Sequence, residues 1–409
     1  MISRTVAAGV VALLLGLAAC GSDTDPAPPR AEPQPTSTPS PTSASTATST
    51  QTVPFPTSAF ADISEDPVPD ELATRLQAAL ATHDVTGGGG MSATVMTPEG
   101  TWSGTTGKAD GVRDLRVDDQ FTIASITKPV VAAQVMLMVE AGELALDDPV
   151  EDHLPRGLEF DTNGATIRQL LGHRSGLPDY YEQGPLANIQ DDPQRVWTTP
   201  ELLELVPAER TPPGDTMSYA ETNYLLLKLV IEQLRGRPLA DVLRKGALAV
   251  EGIERMVHQP DERPSQPMAM PAGQPHAVAE NSGEYLPSLA NATAYGASGG
   301  IASDSPTLAR WWRAFCAGDI VSRASLTEMS TFEPAPYIGS YGLGLSEPAN
   351  GYAESFGHTG QLPGYMTWAA CLPDDEAVIV VLSNHEVDDG HLAWSHGLAR
   401  PLVEALRSP

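Results

Sequence analysis

The chain has 409 residues, enough for two average domains or one large one. With 41% hydrophobic and 19% charged residues, its composition is that of a globular protein and not of a wholly disordered one. Its 24 basic and 52 acidic side chains leave a formal charge of -28, which repels phosphate backbones and anionic lipid and argues against a general nucleic-acid-binding role.

The N-terminus reads as an export signal. Arg4 precedes an apolar run from Val6 to Ala19, about 14 residues, the length of a signal-peptide core and short for a membrane span. The run ends in Leu17-Ala18-Ala19-Cys20, then Gly21 and Ser22. This resembles a bacterial lipobox. Residues 1–19 are then a lipoprotein signal peptide, and Cys20 is the lipidated residue that ties the protein to the extracytoplasmic face of the cell membrane. Residues 20–58, rich in Ser, Thr, Pro and Ala, cannot bury enough apolar surface to offset their ordering entropy and read as a disordered tether. Proline stiffens it and extends it outward.

The globular part is expected over 59–409. Pro69-Asp70-Glu71-Leu72 opens a helical pattern with Leu72, Leu76, Ala79 and Leu80 on one face, ended by the glycines 87–90. Met91–Met96 alternates like a strand, and Pro98-Glu99-Gly100 turns into a second, Thr101–Thr106. Ile126 to Gly142 is helical again, with Gly142 as its C-terminal cap. Residues 126–290 show helices and long loops with few strand signals. Tyr341–Leu345, Gly364–Leu372 and Ala377–Ser383 read as strands, and a last helix is expected over Asp389–Leu406. Strands at both ends with helices between predict an α+β fold. Its sheet part is split over about 59–125 and 291–409 and holds a helical insertion of about 126–290.

The first chemical motif is Ser125-Ile126-Thr127-Lys128. One helical turn brings both polar side chains to the same side. A serine hydroxyl needs a group to take its proton, and a lysine can help once burial lowers its pKa. Taken alone, Ser-x-x-Lys is equally a helix cap followed by a surface lysine. Its context is more specific. Phe121-Thr-Ile-Ala-Ser-Ile-Thr-Lys-Pro129, Glu140 to Pro149, and Thr166-Ile-Arg-Gln-Leu-Leu-Gly-His-Arg-Ser-Gly-Leu-Pro178 together resemble the serine β-lactamase and penicillin-binding-protein superfamily. The branch is that of class C β-lactamases, D-Ala-D-Ala carboxypeptidases and related esterases. The resemblance covers nearly all of the globular part. It implies a β-lactamase/transpeptidase-like fold, an antiparallel sheet flanked by helices beside an all-helical domain.

Residue roles follow from the same resemblance. Ser125 is the implied nucleophile, with Lys128 and Tyr219 as the implied acid–base pair. Tyr219 occupies the tyrosine of the family's Tyr-x-Asn motif. A phenolate near a lysine ammonium could accept the Ser125 proton. Glu221 stands where the family usually has asparagine. It supplies acceptors but no amide donor, and its charge favours a Lys128–Glu221 ion pair and a raised lysine pKa. Asn223 lies two residues further along a helix and points elsewhere. Substrate contact falls on Glu221 and on His358-Thr359-Gly360, the histidine version of the family's Lys-Thr-Gly strand. Gly360 admits close backbone approach to substrate, and the amide of Gln361 joins that of Ser125 as an oxyanion hole. Gly299-Gly300 fits the segment before this strand.

The implied function is a cell-envelope serine hydrolase that works through an acyl-serine, on D-amino-acid peptide or β-lactam amide bonds. A carboxylesterase on the same scaffold, or a non-catalytic peptidoglycan- or partner-binding lipoprotein, are the alternatives. A small molecule or peptidoglycan peptide is the expected partner, with no nucleic acid and a monomeric chain. No cofactor is called for: the nine histidines show no metal-ligand spacing, and Gly87–Gly90 lacks the lysine of a phosphate loop. Cys316 and Cys371 remain once Cys20 is set aside, and in an exported protein they could pair or stay free.

Overall fold

An antiparallel sheet of eight strands forms the centre of the fold. The computed structural model describes residues 53–83, 88–181, 189, 192–272, 284–336, 338–348, 355–385 and 397–408. Its contacts divide the chain after Thr50, and all that follows concerns the part beyond that point. The expected signal sequence, Cys20 and most of the expected tether lie outside the described residues. Among the described residues, no helix is long and apolar enough to cross a membrane.

The strands are β1 (Gly90–Thr97), β2 (Gly100–Gly107), β3 (Phe121–Thr122), β4 (Val257–His258), β5 (Ile301–Ser303), β6 (Glu333–Ala335), β7 (Gly339–Tyr341), β8 (Ser346–Pro348), β9 (Phe356–Leu362), β10 (Tyr365–Leu372) and β11 (Ala377–Ser383). The large sheet has the order β2-β1-β11-β10-β9-β8-β7-β6, so the N-terminal hairpin joins strands from the other end of the chain. The register sets Met91 opposite Ser383 and Met366 opposite the same serine. A separate small sheet has the order β3-β5-β4.

The helices are α1 (Asp70–Leu80), α2 (Thr127–Glu140), α3 (Ile167–Leu171), α4 (Thr199–Glu204), α5 (Glu221–Arg235), α6 (Leu239–Lys245), α7 (Leu289–Gly299), α8 (Ser305–Ala317), α9 (Arg323–Met329) and α10 (Arg400–Arg407). Helices cover both faces of the sheet, which is why β11 is a continuous apolar run rather than an alternating one. Its period of two still divides the layers. Ile379 and Val381 face Leu72 and Leu76 of α1 and Leu402 of α10. Val378, Val380 and Leu382 belong to the other core, with Trp312 and Phe315 of α8 and the buried residues of α2. α2 is buried nearly all round, as a helix apolar on every face must be. Gly142 beyond it takes the left-handed conformation expected of its position, φ +69°.

Three boundaries differ from the sequence reading. The tether was expected to run to residue 58, yet Phe55 is buried, its ring 4.5 Å from that of Phe356. Its amide donates to the Thr327 hydroxyl at 2.9 Å, and its carbonyl accepts from Arg323 at 2.8 Å. Tyr341–Leu345 is not one strand. Gly344 at φ +71° turns the chain, and the Gly342 amide donates to the Leu345 carbonyl at 2.8 Å. Strand β8 starts only after this turn. The expected helical insertion also contributes β4 to the small sheet. Of the expected C-terminal helix, Arg400–Arg407 is helical, and residues 386–396 lie outside the described residues. Cys316 of α8 and Cys371 of β10 form a disulfide between helix and sheet.

Candidate active site

The site is assembled where the small sheet, α2 and β9 meet. Leaving β3, the Ile123 amide donates to the Ile301 carbonyl at 2.9 Å. Ala124 then takes φ +49°, a left-handed conformation that costs a non-glycine residue about 1–3 kcal/mol. A short 3-10 turn, Ala124–Ile126, presents Ser125 and runs into α2. From Phe121 to Met136, Ser125 is the one residue that is not buried. The strained turn lifts its hydroxyl out of an otherwise closed core.

Lys128 follows one turn later and is fully buried. Its Nζ donates to Ser125 Oγ at 3.1 Å, to Glu221 Oε2 at 2.8 Å and to the Ser298 carbonyl at 3.0 Å. All three ammonium hydrogens therefore have acceptors. The expected ion pair with Glu221 is present. The expected rise in lysine pKa is not: burial pulls the ammonium below its ordinary value, and the nearby Glu221 carboxylate opposes that pull without overcoming it.

Glu221 opens α5 after Ala220, its side chain only 10% exposed. Asp179 stands beside it. Asp179 accepts from the amides of Tyr181 and Glu221, and its carboxyl is pushed up to about 7, first by burial and then by the Glu221 charge. Asn223 points away, as its helical spacing requires. It bonds Ser175 at 2.5 Å and His173 Nδ1 at 3.0 Å.

Tyr219 lies against this pair, with the Lys128 nitrogen 4.7 Å from its ring centroid. The buried His173 stacks on the same ring at 4.2 Å. Burial, then the Glu221 charge, drive the phenol pKa well above its ordinary value, while Ser125 draws it down. A resting phenolate is thus disfavoured, because the ammonium that would stabilise it already spends its three hydrogens elsewhere.

Strand β9 borders the site as expected, with His358, Thr359, Gly360 and Gln361 in line. His358 is buried, and its pKa falls to about 3 through burial and then the Lys128 charge. Its ring faces inward, toward the Tyr341 hydroxyl at 3.0 Å and the Thr359 carbonyl at 2.5 Å. Thr359 is half-buried and Gln361 exposed. Gly360 is needed for a different neighbour than substrate. A Cβ there would lie 2.4 Å from Thr367 Oγ1, 2.5 Å from the Ile123 carbonyl and 3.0 Å from Ala124 Cβ. That Thr367 hydroxyl donates to the Ile123 carbonyl at 3.0 Å. The missing side chain lets β9 and β10 clamp the segment that carries Ser125.

Two participants were not read from the sequence. The Ser298 carbonyl holds Lys128 where α7 breaks at Gly296, φ +39°. Only the glycine pair after it hinted at a special backbone. Asp179 follows the Ser-Gly-Leu-Pro segment directly and carries no motif of its own. Among the described residues, no cluster of three or more His, Cys, Asp or Glu side chains could hold a metal ion.

A Beta-lactamase family model matches residues 77–399. Penicillin-binding protein 4* of Bacillus subtilis (strain 168) is 29% identical over 296 residues, which are 68% of this chain and 63% of that protein. A D-aminopeptidase of Brucella anthropi is 30% identical over 154 residues, 36% of this chain and 28% of that one. The chain thus spans less than two thirds of the length of these relatives. The D-amino acid amidase from Ochrobactrum anthropi SV3, solved with L-phenylalanine amide, superposes with a TM-score of 0.70 at 26% identity, over 82% of this chain and 99% of that one. With the matched region running from within α1 to the residue before α10, and an antiparallel sheet flanked by helices in common, the chain belongs to the Beta-lactamase family.

Proposed function

We propose that the chain is a serine hydrolase that cleaves amide bonds of D-amino-acid substrates bearing a free amine, through an acyl-enzyme on Ser125. The observation that carries this reading is the charge balance of the site. Lys128 is already neutralised by Glu221 at 2.8 Å, and Asp179 adds a second acid. His358 stands where a lysine would supply a cation, but it is neutral and turned inward. The internal stretches 182–188, 190–191, 273–283, 349–354 and 386–396, which lie outside the described residues, contain no Lys or Arg. Both β-lactams and D-Ala-D-Ala peptides present a carboxylate, and among the described residues this site has no spare cation to meet it. An ammonium suits it better. The similarity to a D-aminopeptidase and a D-amino acid amidase supports the same choice.

In this reading Ser125 attacks the carbonyl, and the amides of Ser125 and Gln361 hold the oxyanion. Tyr219 protonates the leaving nitrogen, and water then releases the acyl group. Thr359 and Glu221 border the substrate. The enzyme acts as a monomer on the extracytoplasmic face, tethered through Cys20. The Cys316–Cys371 disulfide, which belongs to oxidising compartments, supports export. Similarity to penicillin-binding protein 4* keeps a carboxypeptidase reading as the second choice.

The test compares D-alanine 4-nitroanilide, its N-acetyl derivative and benzylpenicillin on the full-length protein. The free amine should be preferred over the acetylated substrate by about 100-fold or more in kcat/KM, with no stable penicillin adduct. Equal turnover of both anilides, or efficient penicillin hydrolysis, would overturn the substrate class.

A further inference from the structure

The unusual residue of the site is Glu221, and the geometry gives it a task beyond contact with substrate. Before Lys128 can accept a proton from Ser125 it must lose one, since an ammonium has no lone pair. Its three hydrogens point to Ser125 Oγ, Glu221 Oε2 and the Ser298 carbonyl. A carbonyl oxygen is far too weak a base to take a proton, and Ser125 is the group that must lose one. Solvent is no alternative, because the lysine side chain has no exposed surface. Glu221 Oε2, at 2.8 Å, is the remaining acceptor.

We propose that Glu221 is the proton acceptor of the acylation step, acting through Lys128 as a positioning residue. Lys128 passes an Nζ proton to Glu221 Oε2. The Ser125 O–H bond breaks and its proton moves to Lys128 Nζ, while the Oγ electron pair forms the bond to the carbonyl carbon. The carbonyl π pair moves to its oxygen. On collapse the C–N bond breaks and the leaving nitrogen takes a proton from Tyr219. The proton held by the pair then returns to the tyrosine, leaving Lys128 and Glu221 ionised and Ser125 acylated. In the buried setting, exchanging an ion pair for a neutral pair costs little, because burial disfavours the charges it removes.

The groups facing Glu221 are accounted for. Lys128 of α2 supplies the cation, and Asp179 the other carboxyl. Tyr180, Tyr219 and Tyr224 feel the Glu221 charge at close range, as do Tyr295 of α7 and Tyr341 of β7, and burial keeps each of these phenols protonated. His173 and His358 lie within the field of Lys128 and are held neutral. The phenols and imidazoles therefore do not compete for the Lys128 proton, and Asp179, pushed up to about 7, is the group among these that titrates near neutral pH.

The inference rests on Ser125 as nucleophile but not on the substrate class, so the probe is a fluorophosphonate, which phosphonylates an activated serine. The rate of labelling of the full-length chain is followed by intact mass across pH for the wild type, Glu221→Asp and Glu221→Gln. The wild-type profile fixes the reference acid limb. In Glu221→Gln the lysine must first lose its proton to solvent, so the acid limb moves up by about two pH units and labelling at neutral pH drops about 100-fold. Glu221→Asp keeps the wild-type limb at a lower rate. If Glu221→Gln does not fold, Glu221→Asn, with the residue usual in the resembling branch, takes its place in the same profile. A Gln or Asn variant with an unmoved acid limb, whatever its rate, would overturn the relay. Absence of labelling in the wild type at every pH would instead overturn Ser125 as the nucleophile.

Discussion

Lys128→Met is expected to lower kcat/KM by about 1000-fold or more and, in the same protein, to cost about 3–5 kcal/mol of stability. The two losses share one cause. Lys128 is fully buried and is the donor to Glu221 and to the Ser298 carbonyl. Removing it leaves a carboxylate buried without its cation and a carbonyl without its hydrogen bond. The thermodynamic part can be separated from the chemical part by the double variant Lys128→Met/Glu221→Leu. Replacing both members of a buried ion pair with apolar residues of similar size is often neutral. The double variant should therefore regain most of the lost stability in urea unfolding while staying inactive. Were it as unstable as the single variant, the pair would not be the unit that the geometry describes.

The second large effect is expected at a residue with no side chain. Gly360→Ala places a Cβ 2.4 Å from Thr367 Oγ1 and 2.5 Å from the Ile123 carbonyl, distances that force one of them to move. Thr367 holds that carbonyl at 3.0 Å, two residues before Ser125, and the Ala124 between them is already strained. Overpacking of this kind costs about 1–3 kcal/mol. The catalytic cost should be larger in proportion, because it displaces Ser125 relative to β9. A misplacement of about 1 Å can cost about 100-fold. The expected result is a folded protein with kcat reduced about 100-fold and KM little changed. Wild-type kcat in this variant would show that the clamp between β9, β10 and the serine segment does not matter to the reaction.

The fold was legible where local pattern and burial coincide. β1, β2, β10 and β11 are long enough to show alternation or a continuous apolar run, and α1 carries its buried residues on one stripe. Strands β3, β4 and β5 span two or three residues each, too few for any period, and exist because their neighbours pair with them. Phe55 was assigned to the tether because its local composition is that of a linker. Its partners Arg323, Thr327 and Phe356 lie more than 260 residues away, beyond the reach of any window. In the site, charge chemistry anticipated the Lys128–Glu221 pair, and helical spacing anticipated that Asn223 would turn away. Both pulls on Lys128, lowering by burial and raising by Glu221, were legible, but their balance depends on the depth of burial, which the sequence does not state. The Ser298 carbonyl has no signature of its own, since every residue carries one, and only the following glycine pair marks the place. At Gly360 the structure adds neighbours that the sequence does not state, the Thr367 hydroxyl and the Ile123 carbonyl.

The account turns on a covalent bond to Ser125, so the most direct measurement is the intact mass of the full-length protein, quenched in acid during turnover of D-alanine 4-nitroanilide and then digested. The account predicts an added D-alanyl mass on the peptide that contains Ser125, present in Tyr219→Phe as a slower accumulation and absent in Ser125→Ala, which should not turn over at all. Turnover retained in Ser125→Ala, or an adduct mapped to a different serine, would contradict it.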